Sequence, residues 1–177
     1  MNSKLIKLMI FMTYLLIFSL AIMNIITWFE TEYHPSGLGF FLADRIRANS
    51  ELYNLSIKES ILGAMLSSIP IFFIMLILYY SIVLFKSVHE LKIFNKKNVS
   101  ILKKLSLFIL LWVFIDFSIM PVTSFLLTFK NPEGERLLLI SLSWGQLMGL
   151  YLSGFVFILS IILNNGLALK KDSDSII

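Results

Sequence analysis

Residues Leu105 to Phe129 read LSLFILLWVFIDFSIMPVTSFLLTF, 25 residues in which Asp116 is the only charge. A helix rises about 1.5 Å per residue and a hydrocarbon core is about 30 Å thick, so about 20 apolar residues cross a bilayer. The stretch clears that length and is bounded by Lys103 and Lys104 on one side and Lys130 on the other. It reads as a transmembrane helix. Three further gaps between charges clear the same length: 22 residues from Leu8 to Phe29, 26 from Ser60 to Phe85 and 33 from Leu137 to Leu169. The expected helices run near 7–28, 61–85, 104–129 and 140–163. The expected fold class is all-α: one polytopic membrane domain over 1–177, a four-transmembrane-helix bundle. An outer loop falls at 30–59, an inner loop at 86–103 and a tail at 164–177.

Composition supports this reading. Hydrophobic residues make up 58% of the 177 and charged residues 15%, against about 45–50% and about 25% in soluble domains. So few charges cannot cover a soluble surface, and the same balance is the reverse of a disordered chain's. With no cysteine, disulfides, thiolate metal sites and cysteine nucleophiles are excluded. No cofactor is expected.

The first span has a basic start, Lys4 and Lys7, as a secretory signal would. Its apolar run exceeds a signal's usual 7–15 residues, and no small-x-small site closes it. An uncleaved helix is expected, with Thr27-Trp28-Phe29 as an interfacial anchor. Lysine and arginine placement sets orientation. The N-terminus, the 86–103 loop with its boundary Lys104, and the tail hold ten of the 15 basic residues; the two opposite loops hold five. Both termini are therefore expected in the cytoplasm. This bias accounts for the pI of 9.3, and no direct nucleic-acid binding is expected.

In the large outer loop, Phe40 to Leu55 mixes Phe41, Leu42, Ile46 and Leu52 with Asp44, Arg45, Arg47 and Glu51. That spacing suits a short amphipathic helix, either a lid or a sensing loop. Asn54-Leu55-Ser56 matches a glycosylation sequon, relevant only in a eukaryotic secretory setting. Residues 130–136 carry Pro132 and Gly134 and read as a turn. In the inner loop, Asn95 is placed to cap a helix beginning at Lys96. Lysines 96, 97, 103 and 104 fall near the membrane surface, where they contact anionic lipid or dock a partner.

Asp116 lies about 18 Å from the inner boundary of its span. A carboxylate there is costly and should face the interior. Tyr151 and Ser19 fall at similar depth and are its expected partners. The site is either a polar staple between helices or a proton- or ligand-responsive centre. Ser141, Gly145, Gly149 and Ser153 recur every four residues in the last span. Such small-residue ladders let helices approach closely, within one bundle or across a homodimer. Pro70 and Pro121 are expected to kink their helices. No catalytic signature is present: no G-x-S-x-G, HExxH, phosphate loop or second intramembrane acid. His34 and His89 fall on opposite sides. The protein is not expected to be an enzyme or to bind a metal.

Two motifs resemble a bacterial family, domain of unknown function 2975. Lys92-Ile93-Phe94-Asn95-Lys96-Lys97-Asn98-Val99 is similar to the family's G-k-x-F-[ST]-x-x-N-V segment. Gly166-Leu167-Ala168-Leu169-Lys170-Lys171-Asp172-Ser173-Asp174 is similar to its G-x-x-L-x-x-E-x-D-L-T-I ending. Leu91 stands where the family has Gly, Asn95 where it has Ser or Thr, and Asp172 where it has Glu. The resemblance implies a multi-pass protein of the bacterial inner membrane and a cytosolic helix-turn-helix partner. On that reading Phe94, Asn95, Asn98, Gly166, Leu169, Asp172 and Asp174 form a cytoplasmic platform, either a partner-binding surface or a structural clasp. A membrane-embedded regulator is the first expectation. A small transporter or channel subunit using Asp116, and a structural subunit of a membrane complex, are the alternatives.

Overall fold

The computed structural model describes residues 3–29, 56–90, 94–132, 134, 136 and 138–174, with side chains described as far as Lys170. The amphipathic segment expected at 40–55, the sequon at Asn54 and His34 lie outside the described residues. Four helices follow one another: α1 Ser3–Phe29, α2 Ile57–His89, α3 Lys96–Thr128 and α4 Trp144–Asp174.

Caps fix where three of them start. Ser56 and Glu59 close a capping box on α2, the Ser56 amide donating to Glu59 Oε2 at 2.8 Å and the Glu59 amide to Ser56 Oγ at 3.4 Å. Asn95 caps α3 by accepting from the Lys97 amide at 2.9 Å. Ser143 and Gln146 form a second capping box, with the Ser143 amide donating to Gln146 Oε1 at 2.8 Å. α4 therefore begins at Trp144 rather than near 140, and it continues to Asp174 instead of ending near 163. α2 and α3 also outrun their uncharged cores, because a helix ends where its hydrogen bonds end rather than where its charges begin. Pro70 and Pro121 lie inside α2 and α3.

The helices pack antiparallel, and extensive contacts among the described residues join consecutive helices: α1 to α2, α2 to α3, α3 to α4. Several pairs fix the directions. Tyr14 meets Lys86 while Trp28 meets Ser67. Glu59 meets Lys130 at 3.1 Å while Tyr80 stacks on Phe108. The first residues of α1, the α2–α3 turn and the end of α4 thus share one end of the molecule, which carries Lys86, Lys96, Lys97 and Lys170.

The main apolar cluster lies toward the opposite end, where Trp28, Met120 and Leu127 gather with Ala64, Ile119 and Leu139 around them. Trp28 corrects the sequence reading. It is no interfacial anchor but a core residue, fully buried. Its ring fills the space above Gly63, where a Cβ would collide with the ring carbons. Its indole N–H donates to Ser67 Oγ at 2.9 Å, and Ser67 Oγ donates to Asn24 Oδ1 at 2.6 Å. Asn24 donates in turn to Ser68 Oγ at 3.1 Å. Polar groups satisfied this way are inexpensive inside an apolar medium.

Only 11–28% of the most apolar window of each helix is buried within the molecule. The rest presents Phe18, Met65, Phe114 and Ile162 outward. In water that area would be strongly unfavourable at about 25 cal/mol per Å²; in lipid it carries no such cost. All four helices are long and apolar enough to cross a membrane.

Candidate functional site

At the lysine-rich end, the two sequence motifs come into contact. Gly166, on α4, packs against Phe94 in the α2–α3 turn; a Cβ on Gly166 would stand 3.2 Å from Phe94 Cε1. Phe94 and Leu169 are both exposed. Asn98, one turn into α3, is buried beside the Asn95 cap, and its amide donates to the Asn95 carbonyl at 3.0 Å. Asp172 and Asp174 belong to the last turns of α4, and their side chains lie outside those described. One surface therefore holds an aromatic ring, an aliphatic side chain and flanking lysines, on segments more than sixty residues apart in sequence.

A second site lies deep between α3 and α4. Asp116 and Gln146 are both buried, and Gln146 Nε2 donates to Asp116 Oδ2 at 2.7 Å. Gln146 works at both ends, since its Oε1 accepts from the Ser143 amide at 2.8 Å. The carboxyl group on α3 is thereby tied to the first turn of α4. The expected partners are placed elsewhere. Tyr151 is 69% exposed on the outer face of α4, stacked on Phe155. Ser19 donates within its own helix, to the Leu16 carbonyl at 3.0 Å. Sequence reasoning missed Gln146 because it sits inside the Gly145-to-Gly149 ladder. The Ser143-x-x-Gln146 spacing was the available signal.

Residues 138–143 are not helical. They run beside the last turns of α3, with the Leu139 amide donating to Ser124 Oγ at 2.9 Å and Ser141 Oγ donating to Met120 Sδ at 3.2 Å. Ser141 therefore precedes α4 and is not part of its ladder. Within α4, Gly149 receives α3 directly: a Cβ there would lie 2.6 Å from Val113 Cγ2 and 2.8 Å from Trp112 Cζ3. Ser153 donates to the Ser106 carbonyl at 3.0 Å. Among the described residues, Gly145 has only Ser143 Oγ near its Cβ position, at 3.8 Å. The close-approach face at Gly149 and Ser153 is thus occupied by α3 of the same chain.

Among the described residues, no three His, Cys, Asp or Glu side chains gather as a metal site would require. What the fold defines is a multi-pass helical membrane protein with buried polar links between its helices, one of them built on an acid, and one lysine-rich end. The chain belongs to the family described as protein of unknown function (DUF2975), whose model matches residues 46–177. The match takes in α2, α3 and α4, with both the Phe94 turn and the Gly166 segment, and begins after α1. No curated protein and no solved structure matches the chain.

Proposed function

We propose that the protein is a membrane-embedded, non-catalytic regulator or sensor whose lysine-rich end faces the cytoplasm and binds a cytosolic partner, a small helix-turn-helix regulator. The supporting observation is the contact between Phe94 and Gly166. It joins the inner loop and the tail into one surface and leaves Phe94 and Leu169 exposed beside charge. An exposed aromatic anchor with a polar rim is the usual make-up of a binding patch. Cross-linking in the native cell tests this. A helix-turn-helix protein should be captured by the full chain and lost with Gly166→Leu, which displaces the Phe94 ring, while membrane insertion is retained. Undiminished capture by that variant would sink the proposal.

The transporter reading rests on Asp116. Burial of that carboxylate and its direct bond from Gln146 favour a staple. Unchanged proton or ion flux in vesicles carrying Asp116→Asn would support the staple; abolished flux would favour transport.

A further inference from the structure

At the lysine-rich end, between α2 and α3, lies a cavity of about 320 Å³ that shares Asn95 and Asn98 with the proposed platform but lies away from the Phe94–Gly166 contact. Lys86, Ser87, Glu90, Asn95, Lys97 and Asn98 line it, with apolar lining from α2 and α3 beside them. With two lysines and one glutamate, the lining carries net positive charge. Ser87 and Asn98 add a hydroxyl and an amide. The first turn of α3 opens at Asn95 and adds the positive end of a helix dipole. Lys86 is held in place from a third helix. Its ammonium donates to the Tyr14 hydroxyl at 3.3 Å and stands 5.8 Å from the centre of that ring. Depth matters as well. Lys86 is the first residue after the uncharged run Ser60–Phe85, which puts the cavity mouth at the level where a bilayer's polar headgroups begin.

We infer that this cavity is a binding site for a phosphate anion, the class of group carried by an anionic phospholipid headgroup or by free phosphate. Size fits, since the volume lies at the lower end of the 300–1,000 Å³ typical of ligand sites. The chemistry fits too: lysine binds phosphate as a point charge. A headgroup is the source that the position favours, because basic pockets between helices at the membrane surface select such lipids. The site depends neither on the partner proposed above nor on which side of the membrane the end faces.

The test uses the full chain in a neutral detergent. Native mass spectrometry should show retained phosphatidylglycerol but little phosphatidylcholine. The double variant Lys86→Gln/Lys97→Gln should bind phosphatidylglycerol roughly thirtyfold more weakly, from about 1 kcal/mol per lysine at the surface. Lys103→Gln/Lys104→Gln removes the same charge at the membrane surface but outside the cavity and should weaken binding clearly less. In a separate arm, inorganic phosphate is added without lipid. A rise in unfolding temperature that needs Lys86 and Lys97 would assign the site to free phosphate; no rise, with phosphatidylglycerol retained, would assign it to the headgroup. Equal losses in the two double variants, or no loss in the first, would overturn the site.

Discussion

Asp116→Asn keeps an oxygen that can accept from Gln146 and removes the ionisable group. Gln146→Leu removes that donor and, with it, the acceptor of the Ser143 amide. The first change tests the ionisable group and the second the whole Gln146 bridge. Asp116→Asn is expected to leave the unfolding midpoint in detergent unchanged or raised. Gln146→Leu should lower stability by about 1–3 kcal/mol, the cost of stripping a partner from a buried polar group. Equal losses would mean that the ionisable group itself is needed to hold α3 to α4. A second residue-level case is Gly63, whose missing Cβ makes room for the Trp28 ring. That ring is buried and hydrogen-bonded to Ser67, so it cannot swing aside cheaply. Gly63→Val is expected to cost about 1–3 kcal/mol by overpacking and to shift tryptophan emission to the red. Both sites show what the sequence carried. An intramembrane acid announces that it needs a partner, and Asp116 did. Which residue supplies it depends on helix rotation, and neutral Gln146 gave no charge to read. Trp28 looked interfacial because it closes an apolar run, yet Gly63 and Ser67 lie on another helix, some forty residues on.

At the level of elements, the last helix was the hardest to bound. Leu137 to Leu169 has no charge, and hydropathy cannot mark a helix start inside a uniformly apolar run. The start is set instead by Ser143 and Gln146, and residues before it use Ser124 and Met120 as partners. Non-helical backbone beside apolar helices is tolerated only where such bonds satisfy it. Ser143→Ala is expected to cost about 1 kcal/mol and to speed hydrogen exchange at the amides of Gln146 and Leu147. Exchange unchanged at those amides would show that the box contributes nothing to the start of α4. Asn95 makes the contrast. It follows charged loop residues, so its capping role was open to sequence reasoning, and the helix indeed begins at Lys96.

At the scale of the whole molecule, the number of helices was legible because charges are expensive in lipid and therefore bracket each span. Their neighbours were not, because a residue facing lipid and a residue facing another helix are equally apolar. Only small and polar residues such as Ser67, Ser106, Gly149 and Ser153 mark the contact faces. Antiparallel packing in chain order places the first residues of α1 and the end of α4 at one end, with the Lys130 turn at the other. Lysine bias proposes that the shared end is cytoplasmic. The chain contains no cysteine, so single-cysteine reporters need no background removed. Ser3→Cys, Ser173→Cys and Pro132→Cys can be probed with a membrane-impermeant maleimide in sealed right-side-out vesicles. Only Pro132→Cys is expected to react before permeabilisation, and all three after it. Labelling of Ser3→Cys and Ser173→Cys first would invert the protein and remove a cytosolic partner from that surface. Labelling of just one of those two would break the four-span topology, because an even number of crossings must return both termini to the same side.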